Sequence, residues 1–310
     1  MELHYAAQRG DIEKVRKLID NGVDINQRGP KGWTPLHYAS RRSQLKIAKL
    51  LVDAGADIDI KCIDGRTALH YASREGYLEI AQLLINNGAD VNKQDINAGP
   101  ALHWAIRKGY LEIAQLLINN GADINQQDNG GRAALHWACE EGNIEATQLL
   151  LKHKPNINVK TINGRIALHY ASLGAHLKIA QLLVDNGADV NIQDNNGWTA
   201  LHYASRDRYL EIVKLLVDND ADINQKNRWE QTALSAASQY GHLEIIKLLI
   251  EYGSELDEHT VKTYSNKFGQ LIVDNIKLHK QWEFIRYLSK KLQNQFPPQI
   301  VKASQLGMYD

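Results

Sequence analysis

Histidine recurs at residues 4, 37, 70, 103, 136, 169 and 202, and imidazole is the side chain best suited to metal ligation or to proton transfer near neutral pH. The spacing argues against both uses. Each His stands 33 residues from the next, so no two share a helical turn as a metal-binding pair would. Cys62 and Cys139 are the only cysteines; they lack CxxC spacing and are too few for a disulfide framework. The runs Asp128-Asn129-Gly130-Gly131 and Asp194-Asn195-Asn196-Gly197 have the composition of calcium loops but not their spaced acidic ligands or closing Glu, so they read as turns. Neither a phosphate-cradling Gly-rich loop, a Gly-x-Ser-x-Gly elbow, a His-Glu-x-x-His pair nor a dinucleotide fingerprint occurs. The expectation is a protein without catalysis, metal or cofactor.

The elements that carry these histidines follow the same period. Leu3, Leu36, Leu69, Leu102, Leu135, Leu168, Leu201 and Leu234 recur every 33 residues without insertion. Segments such as Thr34-Pro35-Leu36-His37-Tyr38-Ala39 form a short first helix, with Leu and the later Ala on one face. A second helix follows, as in Leu78-Glu79-Ile80-Ala81-Gln82-Leu83-Leu84-Ile85, and Gly88 stops it. The polar stretch after Ala89-Asp90-Val91-Asn92 has hairpin-type turn residues and is too short for another helix. Such a unit cannot bury its apolar faces alone, so neighbours must stack.

The Thr-Pro-Leu-His-x-Ala and Gly-Ala-Asp-Val-Asn signatures, nearly intact and in register over residues 1–257, resemble the ankyrin repeat family. The resemblance implies an all-α solenoid of eight helix-turn-helix units with short hairpin connectors, first helices lining a concave side, and a role in protein recognition. The first unit, which starts at Leu3-His4-Tyr5-Ala6 and carries Glu13, Lys14, Arg16 and Lys17, reads as an N-terminal cap. Residues 258–310 lose the period; Leu271, Ile272, Ile276 and then Trp282, Phe284, Ile285, Leu288 suggest two helices of a degenerate C-terminal cap, with a tail from Pro297. The resemblance also aligns Asn92, Asn125, Asn158, Asn191 and Asn224 with a hairpin asparagine that is hydroxylated in other ankyrin proteins; a turn-stabilising side chain is the simpler reading.

Several repeats depart from the pattern. Lys154 replaces the Gly that ends a second helix, at a cost on the order of 1–2 kcal/mol if held in the left-handed region. Pro100, Ala133 and Ile166 replace the Thr that caps a first helix, each losing about 1 kcal/mol. Ser43 and Arg208 replace the inter-helix Gly, and Gly174-Ala175-His176 reads as that Gly shifted by one. A soft joint near residues 150–176 is expected.

The positions that vary most in such scaffolds are not random in this chain. After the hairpin Gly or its replacement stand Trp33, Arg66, Gly99, Arg132, Arg165, Trp198 and Gln231. The first-helix ends bring Arg41, Arg42, Arg74, Arg107, Lys108 and Arg206. One turn earlier lie Tyr5, Tyr38, Tyr71, Trp104, Trp137, Tyr170 and Tyr203, on the same face by three-and-four spacing. Trp, Tyr and Arg dominate binding hot spots. The candidate partner-binding set is therefore Trp33, Tyr38, Arg41, Arg42, Arg66, Arg74, Trp104, Arg107, Lys108, Arg132, Trp137, Arg165, Trp198, Tyr203, Arg206 and Trp229, with Trp33, Trp198 and Trp229 as anchors. The competing reading packs the Tyr row into the core between repeats.

The chain has 36 Lys plus Arg and 36 Asp plus Glu over 310 residues, so net charge demands neither nucleic acid nor an anionic membrane. Glu75, Glu140, Glu141 and Asp207 interrupt the basic row, which favours a patterned partner over a polyanion. Neutrality places compensating acid on second helices, at Glu79, Glu112, Glu211 and Glu244. The expected partner is another protein with acidic and apolar contact residues; a nucleic-acid or anionic-ligand reader is the alternative. No apolar run is long enough to span a bilayer, and the first residues lack a signal-peptide pattern, so a cytoplasmic protein is expected, with a nuclear location or export into a host cell left open; a capped solenoid is expected to be monomeric. Abundant Ile, Asn, Lys and Tyr fit an AT-rich genome, and with the family resemblance raise a host-directed role for a protein of a host-associated microbe.

Overall fold

In each repeat a Leu and an Ala of the first helix face a second helix whose apolar residues follow the 3.6 period, so neither helix is stable without the other. The structure, a computed structural model, describes residues 1–254 and shows sixteen α-helices among them. They are α1 (Glu2–Arg9), α2 (Ile12–Asp20), α3 (Pro35–Arg41), α4 (Leu45–Asp53), α5 (Ala68–Glu75), α6 (Leu78–Asn86), α7 (Ala101–Lys108) and α8 (Leu111–Asn119). The series continues with α9 (Ala134–Glu140), α10 (Ile144–Lys152), α11 (Ala167–Leu173), α12 (Leu177–Asp185), α13 (Ala200–Arg206), α14 (Leu210–Asp218), α15 (Ala233–Tyr240) and α16 (Leu243–Glu251). The expected cap over residues 258–310 lies outside the described residues.

The chain divides into two compact units, Met1–Tyr170 and Ala171–Asp310, a boundary inside the segment where a soft joint is expected. In the first unit α1, α3, α5, α7 and α9 pack in one row and α2, α4, α6, α8 and α10 in a second. In the second unit α13 packs on α15, and α12, α14 and α16 form the other row. The buried face of α6 (Ile80, Ala81, Leu84, Ile85) shows what drives this stacking. Its large aliphatic side chains each contribute about 1.5–3 kcal/mol by leaving water.

The histidines tie the first helices that carry them to the hairpins that follow. Thr34 N–H donates to His37 Nδ1 at 3.1 Å, and His37 Nε2 bonds Arg66 O at 3.0 Å, so one ring starts α3 and holds the next hairpin. His70 repeats this between Thr67 N and Gly99 O, at 3.1 and 3.2 Å. Because Nδ1 accepts a backbone N–H, the proton sits on Nε2 and the ring is neutral. Burial holds His37, His70 and His103 down to about 4. Pro100 has no N–H to give, and His103 Nδ1 is accordingly buried without a partner.

The hairpins are tied by one backbone bond per repeat: Ile63 N to Lys31 O, Ile96 N to Asp64 O, Asn129 N to Asn97 O and Ile162 N to Gly130 O, all 2.8–3.0 Å. The hairpin asparagines add a second tie. Asn92 Oδ1 accepts from Asp123 N at 2.8 Å while its Nδ2 donates to Gly121 O at 2.9 Å. This is the turn-stabilising role.

Lys154 is held at φ 52, as its replacement of Gly requires, and Ser43 and Arg208 take φ 59 and 67 in the inter-helix turn. One expectation is corrected. The inter-helix turn does not shift onto Gly174: Ala175 keeps the regular position at φ 59, because the stacking register fixes the left-handed residue whatever its type.

Candidate interaction face

The first helices are short, so each presents one turn of side chains beyond its buried Leu and Ala, and the residue following the hairpin lies against that turn. Trp33 covers Tyr38 of its own repeat and Tyr71 of the next, with ring centroids 4.9 and 4.6 Å apart. Later residues in this register repeat the geometry with a guanidinium. The Arg66 Cζ lies 4.6 Å from the Trp104 centroid, and the Arg132 Cζ lies 4.4 Å from Trp137 and 5.1 Å from Tyr170. Arg74 and Arg107 at the helix ends complete the ladder, 5.9 Å from Trp104 and 4.7 Å from Trp137. Cation–π contacts of this kind are worth about 0.5–1 kcal/mol each where solvent reaches them.

Exposure sorts the aromatic row. Tyr71, Tyr170 and Tyr203 are buried, so for them the core reading holds. Trp104, Trp137 and Tyr38 are half-buried, and Tyr5 is 56% exposed. Trp33 departs from its expected role as an anchor. At 6% exposure it belongs to a core cluster with Cys62 and Tyr71, and Arg41 lies over its ring at 5.2 Å, so the guanidinium is what reaches solvent.

Gly99 breaks the ladder. In its register a side chain would lie over Trp104 of its own repeat and Trp137 of the next, as Trp33 lies over Tyr38 and Tyr71. Gly99 supplies no side chain there, and Arg107, on the same helix as Trp104, is what lies over Trp137 from that repeat. A Cβ at Gly99 would meet only Asp95 Oδ1 at 3.5 Å and His103 Nδ1 at 3.8 Å, ordinary contacts, so packing does not require glycine. Asp95 fixes Trp104 from beneath: its carboxylate accepts from Trp104 Nε1 at 3.3 Å, from Asn97 N and from Gly99 N.

The expected basic character of the face is largely cancelled. Arg66 pairs with Asp95 at 3.5 Å, Arg74 with Glu75 at 2.5 Å, Arg107 with Glu141 at 3.3 Å and Arg132 with Glu140 at 2.6 Å. The residues that interrupt the basic row are thus its partners. Arg41, Arg42 and Lys108 are exposed and carry no such pair among the described residues. Arg165 is half-buried at the hairpin, its N–H bonded to Thr161 Oγ1 at 3.2 Å. The acid expected on second helices is there: Glu79, Glu112, Glu211 and Glu244 are exposed in first turns, where the helix dipole favours them.

In the second unit Trp198 is half-buried with its ring 5.0 Å from Tyr203, and Arg206 lies 5.2 Å over Trp198 while pairing with Asp207 at 2.7 Å. Buried Tyr203 donates its hydroxyl to Asp194 at 2.6 Å. Trp229 does not join this stack. It sits at a hairpin tip, 58% exposed, its N–H bonded to Asn227 Oδ1.

Three residues escaped the sequence reading. Ile63, Ile96 and Ile162 occupy one hairpin-tip position and are 71%, 64% and 67% exposed. A β-branched apolar residue beside Asp64-Gly65 or Asn163-Gly164, where turn chemistry asks for none, was the available signal.

Among the described residues no group of three or more His, Cys, Asp or Glu is placed to hold a metal ion, and no helix is long and apolar enough to cross a membrane. Models of ankyrin repeats match residues 3–95, 102–194, 135–227 and 186–260, and a second ankyrin repeat model matches residues 74–118. No curated protein matches the chain.

Proposed function

We propose that this chain, which belongs to the ankyrin repeat family, is a non-enzymatic scaffold that grips a protein partner on its first-helix face at Trp104 and Trp137. Ankyrin repeats mediate protein–protein interaction and are in general non-enzymatic. The observation that carries the reading is the gap at Gly99. It leaves two half-buried tryptophans, each beside guanidinium groups, with no side chain from that hairpin position between them. An apolar partner side chain entering that gap would stack on both indoles. Half-exposed Trp beside Arg is the composition of a hot spot, and the flanking hairpin tips offer Ile63, Ile96 and Ile162 as further apolar contact. A specific interface would bury on the order of 1,600 Å².

The intramolecular pairing of Arg66, Arg74, Arg107 and Arg132 supports a protein partner over the alternative of a nucleic-acid or anionic-ligand reader. A polyanion would have to displace those carboxylates. Affinity capture from lysate with wild type, Gly99→Trp and Trp104→Ala/Trp137→Ala, each first checked for equal helicity, tests the reading. Partners lost with both variants support it; partners retained by both would refute it. The origin of a captured partner also decides the host-directed role that the composition raised.

A further inference from the structure

Charge is unevenly distributed along the chain in a way that total neutrality hides. Residues 1–50 hold 10 Lys and Arg against 5 Asp and Glu, whereas residues 51–150 hold 7 against 14. The structure makes the same contrast residue by residue on the first-helix ends. From Arg74 to Glu141 the row is largely paired, whereas Arg9, Arg41 and Arg42 at the N-terminal end have no acidic partner among the described residues. The negative C-terminal end of a helix accounts for one cation in the last turn, as with Arg9 on α1 and Arg41 on α3. It does not account for Arg42 beside Arg41.

A hollow of about 400 Å³ lies between these charges, lined by Tyr5, Gln8, Arg9, Arg42 and Gln44. Its floor follows from the sequence. Gly10 has no Cβ, and the Gln44 amide lies 2.8–3.1 Å from where one would be; in the same register further along, the Tyr110 ring lies over Gly76. An amide in place of a ring leaves the floor polar and the space above it open. Tyr5 stands at the rim, 56% exposed, and Tyr38 lies close enough for Tyr5 and Arg41 to act on its hydroxyl, whose pKa is raised chiefly by burial.

We infer that this hollow is the docking site for an acidic segment of a protein partner, with side-chain carboxylates held by Arg9 and Arg42 and with Tyr5 as the apolar contact. Two forked guanidinium groups match two carboxylates, and the surplus positive charge of the first fifty residues draws the segment there. The inference rests on the reading that the chain binds a protein, and gives that partner a polarity: acidic at the N-terminal repeats, apolar at Gly99.

Fluorescence anisotropy on the full chain tests it, with a fluorescein-labelled octapeptide of alternating Asp and Glu as probe and a Gln/Asn octapeptide and an oligouridylate of eight nucleotides as comparisons. The acidic peptide should bind, and Arg9→Gln/Arg42→Gln should weaken it about tenfold, the effect of roughly 1.4 kcal/mol lost over two exposed charge contacts. Arg16→Gln/Lys17→Gln removes equal charge from exposed positions on the neighbouring α2 and should change the affinity less than twofold. Failure of the acidic peptide to bind, equal weakening by both variants, or tighter binding of the oligouridylate at Arg9 and Arg42 would each overturn the inference. Loss of lysate partners with Gly99→Trp alongside any of those results would leave the scaffold reading standing and remove only this one.

Discussion

Lowering the pH from 7 to 5 should destabilise the first unit steeply, and the histidine row sets the amount. His37, His70 and His103 are 1–5% exposed, and burial holds each near 4 in the folded state against about 6.5 in the unfolded chain. A folded pKa below the unfolded one means that the unfolded chain takes up the proton first. The stabilisation is therefore complete above about pH 6.5 and is lost as the pH falls toward 4. Between pH 7 and pH 5 an unfolded imidazole goes from about a quarter to nearly fully protonated, while a folded one reaches only about a tenth. The difference integrates to about 2 kcal/mol per histidine, or about 6 kcal/mol for the three. That is comparable with the whole stability of many domains.

The perturbation that isolates the effect is His70→Gln, because Gln keeps a polar group near Thr67 N and Gly99 O but does not titrate. Urea unfolding followed by far-UV circular dichroism at pH 7 and pH 5 should show a large drop for wild type. The drop for His70→Gln should be smaller by about 2 kcal/mol, whatever the variant's stability at pH 7. An equal pH dependence for the two proteins would refute the argument. So would a His70 Cε1–H resonance that titrates near 6.5 in the folded state.

Other expectations follow from single repeats that depart from their neighbours. Asp59 occupies the register of Asn92 but has no amide to donate to the next repeat, and burial raises its pKa, with Asp90 and Asp57 adding repulsion; Asp59→Asn should stabilise by about 1 kcal/mol in thermal or urea unfolding. Lys154→Gly relieves a side chain held at φ 52 and should stabilise by about 1 kcal/mol, with loss of stability as the contrary result. Leu84→Ala empties a fully buried site on α6 and should cost about 2–5 kcal/mol. Amide exchange across residues 150–176 should be faster than in the repeats on either side, and uniform protection would remove the soft joint.

The helices and their pairing were legible because two local rules agree: a 3.6-residue apolar period within each helix and a 33-residue period between them. The ring row was only partly legible, because register gives a residue its place in the stack and not its cover. Tyr71 and Trp104 hold one register position, yet Tyr71 is 1% exposed and Trp104 half-buried. The same limit applied to charge. Arg132 and Glu140 are eight residues apart, joined only by the fold of their own repeat, and Arg107 and Glu141 are thirty-four apart, paired only when one repeat is laid against the next.

Besides the helix-end Arg41, Arg74, Arg107 and Arg206, cover in this stack comes from one hairpin position that acts at two distances, five residues ahead in its own repeat and thirty-eight ahead in the next. Trp33 shows both, lying on Tyr38 and Tyr71, and Arg132 does the same to Trp137 and Tyr170. The register reads Trp33, Arg66, Gly99, Arg132, Arg165, Trp198 and Gln231, so its single glycine withholds a side chain from two rings at once. A Cβ at Gly99 meets nothing closer than 3.5 Å, so packing at that atom does not demand glycine, and what glycine withholds is a side chain beside two indoles. That separates cover from stability. Gly99→Trp should fold as wild type does and quench accessibility of Trp104 and Trp137 to acrylamide, whereas a variant that unfolds would mean that Gly99 serves the backbone and not the face.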